Sequence, residues 1–234
     1  MMKEFYFLLV CLFLFCASIT GQEPIINTDR PDQSDGVNTV PKSWVQIENG
    51  LTFGKKTFIN NFMLRYGIAQ STEVRLLLDA GRELGVQGLK PLGLSVKQRL
   101  VQQKKLLPAI TLVGYLFYEK LAGKRFQGNG LPYEIKLAFE NECSDQFSLG
   151  YNIGSSNHFQ TTSITLGLGY APLDKLSTFA EYFSAFTSQR PEHNIDIGIL
   201  FRVSTKLQLD MAGGHSIFDT DHRFFASAGV SYLF

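Results

Sequence analysis

"NIDIGILFRV", residues 194–203, alternates without a break. Ile195, Ile197, Ile199, Phe201 and Val203 fall on one face of an extended chain, with Asp196, Gly198 and Arg202 on the other. A period of two marks a β-strand, and the open question is which face meets water. Outward from this stretch the pattern repeats from Trp44 onward, in runs of about ten residues separated by turn-like clusters. "VQIENGLTF" puts Val45, Ile47, Leu51 and Phe53 on one face; "YEIKLAFE" puts Tyr133, Ile135, Leu137 and Phe139 there. The closing "FFASAGVSYLF" presents Phe224, Ala226, Ala228, Val230, Tyr232 and Phe234. About twelve strands are expected. The stretch 108–117 is apolar in both phases and fixes no register, and 175–186 alternates only weakly.

The charges choose the face. In runs of clear register the apolar face holds none. The opposite face carries Glu48, Arg65, Arg75, Asp79, Lys97, Arg99, Glu134, Lys136, Glu140, Asp196, Arg202 and Asp210, with Glu181 from the weaker strand. A soluble β-sandwich or lipocalin-like barrel would turn its apolar face inward, but twelve such faces would overfill one small core. A bilayer-spanning barrel must exclude charge from its lipid face, where one costs ~2–4 kcal/mol at the midplane, and its strands run about ten residues. The expected fold is therefore all-β: a transmembrane antiparallel barrel over residues 44–234.

The first residues, "MMKEFYFLLVCLFLFCASITGQ", pair Lys3 with an apolar run from Phe5 to Phe15 and then small residues. This is the layout of a secretory signal peptide, too short to span a bilayer as a helix. Cleavage after residue 21 would leave Cys143 as the one cysteine, without a disulfide partner. No Cys/His set has metal spacing, so no metal or cofactor is expected. With 22 basic and 21 acidic residues and no basic run, a nucleic-acid partner is not expected either. With the mature N-terminus on the periplasmic side, turns such as "AQST" and "PLDK" fall there. Longer links such as "YEKLAGKRFQGNGLP" fall outside, the usual barrel asymmetry.

Two stretches add a resemblance. The closing strand, with Tyr232 and the terminal Phe234, resembles the C-terminal signature of Gram-negative outer-membrane proteins. That likeness implies delivery to the outer membrane and recognition by the barrel-assembly machinery. "NTDRPDQSDGVNTVPKSWVQIENG", residues 27–50, resembles the opening of the outer-membrane family assigned to the MetA pathway of phenol degradation. Thr28-Asp29-Arg30-Pro31, Val40-Pro41-Lys42 and the Gln46-x-Glu48-x-Gly50 strand carry it, with Ser43 in place of the usual Gly. The family implies location and fold more than substrate.

Residues 22–43 are polar and precede the first strand. They form either a periplasmic tail or a plug. In the plug reading Asp29, Arg30 and Asp32 enter the lumen, and "TDRPDQSD" pairs with Arg75, Lys97, Arg99 or Arg202. Six basic and seven acidic inward residues of the barrel are close to balance and point to a cross-lumen network of paired charges. The expected function is passive passage of small, hydrophobic or aromatic solutes. A plugged barrel with a structural or surface role, through loops near Lys120–Asn129 and Phe218–His222, is the second reading. A barrel-embedded lipid hydrolase is the third, although His215 and Ser216 are adjacent and so point to opposite faces of a strand.

Overall fold

A computed structural model describes residues 23–218 and 223–234. The signal-peptide stretch and part of the Phe218–His222 loop lie outside the described residues. The described residues form thirteen strands: β1 (Val45–Gly54), β2 (Thr57–Ala69), β3 (Thr72–Glu83), β4 (Val86–Leu89), β5 (Leu92–Val101), β6 (Ala109–Tyr118) and β7 (Tyr133–Glu142). There follow β8 (Phe147–Ser156), β9 (Thr161–Leu173), β10 (Leu176–Phe186), β11 (Glu192–Arg202), β12 (Leu207–Ile217) and β13 (Phe224–Leu233). Twelve of them close a ring of antiparallel neighbours, sealed where β1 pairs with β13 as well as with β2. In that seam Ile47 faces Tyr232 and Gly50 faces Gly229.

The extra strand, β4, pairs only with β3. It lies in the Glu83–Lys90 link, which the alternation marks as a loop. Leu84 and Gly85 both take left-handed backbone (φ 49° and 90°), which makes a two-residue hairpin and folds Val86–Leu89 back on β3. This hairpin also supports the longest connection, residues 119–132, through a Gly123 N–H to Leu89 carbonyl bond.

Burial is inverted relative to a soluble domain. Arg65 and Lys97 are 0 % exposed, while Ile197 is 67 % exposed. Leu94, Val96, Leu166, Leu168, Met211 and Phe224 are exposed around the same outer surface. An apolar belt of this extent, on a barrel with charges confined inside, requires hydrocarbon around it. The two open registers are resolved. On β6, Thr111, Val113 and Tyr115 face the lumen while Leu112, Leu116 and Tyr118 face out. On β10 the lumen-facing residues include Phe179, Glu181 and Phe183. β6 reads as apolar in both phases because its lumen side packs an apolar group too: Val37 sits on Ala109 and Ala138.

Candidate functional site

The lumen holds residues 24–43 of the same chain. The segment enters beside the 203–206 turn, where the Ile26 N–H bonds the Thr205 carbonyl. Ile26 packs with Val40, Leu233 and Trp44, so Trp44 braces the base of the segment. At its far end the Gln33 N–H (2.8 Å) and the Ser34 hydroxyl bond Glu181 on β10. The Asp35 backbone exchanges hydrogen bonds with Asn152 on β8. The chain then returns past Thr111, whose hydroxyl donates to the Val37 carbonyl, and leaves over β2. There a side chain at Gly67 would collide with the Val40 and Pro41 carbonyls.

Asp29 and Asp35 fix this path on one wall. Asp29 meets Lys97 (2.9 Å), Arg75 and Arg65, from β5, β3 and β2. Asp35 accepts from Arg75 (2.9 Å), Tyr115 (2.5 Å) and Lys136 (3.3 Å). Glu48 and Glu73 complete the cluster: Arg65 bonds Glu48 at 2.6 Å and Glu73 at 2.9 Å, and Arg75 bonds Glu73 at 2.6 Å. Charges buried this deeply persist only when paired and hydrogen-bonded. Burial alone would raise the Asp35 pKa, but Lys136, Arg75 and Lys97 outweigh it and hold the carboxyl well below the usual carboxylate range. Asp32, three residues earlier, goes the other way, pushed up by burial and by Glu181 and Asp29.

The two motifs that carry the resemblance interlock. Gln46 donates to the Asn27 carbonyl, and Glu48 accepts the Asp29 N–H. Thr28 accepts from Gln208 on β12. The Arg30 guanidinium lies over Gly50 and Gly229, cross-strand partners where any Cβ would overlap it, and it pairs with Asp210 at 3.3 Å. Glycine is required at these two positions by that close approach. The Thr-Asp-Arg turn is thus the key, and Gln46, Glu48 and Gly50 are the slot.

The opposite wall differs. Glu181, Asp196 and Asp210 project from β10, β11 and β12, and of these three only Asp210 has an ion pair among the described residues, with Arg30. At the end shared with the termini, a vestibule of about 660 Å³ opens between segment and wall, bounded by Arg30, Asp32, Glu140, Glu142, Asp145 and Phe179. Outside the same wall, a concavity of about 1400 Å³ is lined by apolar residues including Ile195, Ile197, Leu166, Leu168 and Met211.

Of the residues singled out from sequence, Asp29, Arg65, Arg75, Lys97, Glu48, Lys136 and Glu134 come together in one network. Arg99 and Arg202 do not pair with the segment. Both stay near the mouth, on the carbonyls of Gln70 and Asp174, because each lies in the last turn-proximal residues of its strand. Asp79 sits near the opposite rim, beside Asn61 across the β2–β3 pair, and Glu140 borders the vestibule. Glu73, Tyr115, Asn152 and Gln208 were not anticipated. Ser216 is buried and accepts the Arg223 N–H at 2.9 Å, while His215 lies on the other face, so they form no catalytic pair. His158 packs against Tyr133, and His193 bonds Tyr182; His222 lies outside the described residues.

The fold is that of known porins. The KdgM porin in complex with disordered oligogalacturonate matches with a TM-score of 0.65 at 8% identity, over 80% of this chain and 98% of that one. A second KdgM porin structure matches at 0.62 and 10% identity over the same shares. The NanC porin matches at 0.58 and 6% identity, again over 80% and 98%. No curated protein matches the sequence significantly. The family match begins at Thr28, the first residue of the interlocking turn, and runs over residues 28–234; the chain belongs to the family described as putative MetA-pathway of phenol degradation.

Proposed function

We propose that this protein is an outer-membrane channel closed by its own N-terminal segment, passing small solutes by diffusion when that segment withdraws. One observation carries the reading: what fills the lumen is a single strand-free segment that enters and leaves by the same mouth, held mainly by ion pairs and hydrogen bonds. A twelve-strand ring is wider than the eight-strand barrels that side chains alone can fill. The phenol-degradation description of the family favours small aromatic solutes. Deleting residues 24–40 tests the reading in planar bilayers. Larger unitary currents than wild type are expected; unchanged currents would sink it. The competing reading, a permanently sealed structural barrel, rests on the fully buried Arg65–Glu48–Glu73 cluster. It predicts no current from either protein.

Two further expectations follow. Asp35 is held below the ordinary range, so its contribution to docking is complete at neutral pH and is lost only as pH falls through that lowered value. Currents should therefore not rise from neutral pH into mild acid, down to about pH 4 where ordinary carboxylates titrate: Asp35 keeps its hold, and Asp32, pushed up in the docked segment, gains its proton more readily there, which favours the closed state. The Phe234 N–H bonds the Val45 carbonyl across the seam, and the closing strand carries the assembly signature. Deleting Phe234 should lower the amount of heat-modifiable, folded barrel in membranes; undiminished levels would count against an assembly role.

A further inference from the structure

Sorting the lumen charges by wall exposes an imbalance that their near-equal totals conceal. Arg65, Arg75, Lys97 and Lys136, on the β2–β7 side, each meet at least one carboxylate. Glu48 and Glu73 of the barrel remain with Arg65 and Arg75 even if the N-terminal segment leaves. Across the lumen, Glu181 and Asp196 are direct cross-strand partners on β10 and β11, 4 % and 2 % exposed, and neither has a salt bridge among the described residues. Arg202, on the same strand as Asp196, is turned to the mouth and the Asp174 carbonyl.

Asp196 is the telling group. Among the described residues neither of its carboxylate oxygens has a hydrogen-bond partner, and the hydroxyl of Thr165, buried on the same inward face of β9, has none either. A buried carboxylate is stable only with a counter-charge or donors. The wall around it is aromatic. The Phe179 ring covers the space above Gly198, and the Phe225 ring and Asp196 Cβ close over Gly214; Phe183 meets Phe225 edge-on at 6.0 Å. Glu181, meanwhile, is capped by two donors from the segment, the Gln33 N–H and the Ser34 hydroxyl. An ammonium group carries three donors, enough to take those places and reach Asp196 as well. Phenylalanine faces attract the cation and accommodate an apolar body.

The geometry assigns to Glu181 and Asp196 a binding step for small organic cations, protonated amines with a compact apolar or aromatic body, along the path through the barrel. No group of three or more His, Cys, Asp or Glu among the described residues is arranged to hold a metal ion, so selection is by field and aromatic contact. This assignment rests on the channel reading above.

The test is the reversal potential of purified protein in planar bilayers, under gradients of KCl and of benzylammonium chloride, for wild type, the 24–40 deletion and Glu181→Gln/Asp196→Asn. Both cations should be more permeant than chloride in wild type and in the deletion, benzylammonium the more strongly. The double variant should bring the cation-to-chloride ratio towards one. The isosteric single variant Asp196→Asn, expected to give an intermediate ratio, covers a failure of the double variant to fold. A benzylammonium ratio at or below one, or a ratio untouched by these substitutions, overturns the assignment and leaves the channel reading standing. Absence of current from wild type and deletion alike overturns the channel reading and the assignment with it.

Discussion

Replacing Asp29 with alanine should release the N-terminal segment from the lumen and raise the current through single barrels. Asp29 is the residue on which three cations from three strands converge, and its Oδ1 also accepts the Gly36 N–H, bracing the return of the segment. Removing one member of a buried ionic cluster costs about 3–5 kcal/mol, because the charges left behind lose their compensation. At ~1.4 kcal/mol per tenfold, that shifts the docking equilibrium by about two to three and a half powers of ten. The barrel wall keeps its backbone ladders, so the cost falls on docking. Two readouts separate this from general damage. Conductance should rise while the folded, heat-modifiable band persists. A cysteine placed at Ser34 should react with maleimide in the Asp29→Ala protein and resist it in wild type. Cys143 is exposed and must first be changed to serine. A Ser34→Cys thiol equally reactive in both proteins would show that the segment is not held by this cluster.

The outer half of the structure was legible and the inner half only partly so, for a physical reason. Facing lipid, a side chain obeys one rule, absence of charge, and the strands repeat it every second residue. Hence Ile195–Phe201 and Phe224–Tyr232 could be placed from the sequence. Facing the lumen, a side chain answers to a particular neighbour on another strand or on the segment. Glu73 was passed over because it stands one residue inside β3, beside a turn, where a charge needs no explanation; its partners Arg65 and Arg75 give it one. Tyr115 was hidden because its strand is apolar in both phases, and its hydroxyl bond to Asp35 depends on a contact across 80 residues. The charges that could be assigned inward, such as Lys97 and Arg99, differ in partner because strand position, which alternation does not encode, sets depth. The Thr28–Pro31 and Gln46–Gly50 motifs were visible as separate marks. That one fits into the other depends on Arg30 lying over Gly50 and Gly229, a meeting that exists only once the ring has closed.

The second large effect is expected at Arg75. Its guanidinium donates to Glu73, Asp35, Asp29 and Tyr115, so it joins the barrel wall to both anchors of the segment. A fork-shaped cation can satisfy several acceptors at fixed angles, which an ammonium point charge cannot. Arg75→Met keeps much of the volume and removes the charge, leaving Glu73 and Asp35 short of a counter-ion in a buried site. The loss should be about 3–5 kcal/mol in the urea-induced unfolding of refolded barrel. Arg75→Lys should fall between Met and wild type. Because the penalty comes from uncompensated acids, Asp35→Asn introduced into the Arg75→Met protein should restore part of it. A coupling of ~0.5–3 kcal/mol is the range seen for groups in one network. If the two substitutions add without coupling, Arg75 stabilises the barrel by packing alone. The cluster would then be a by-product of a crowded lumen, and Asp35 would not be an anchor of the segment.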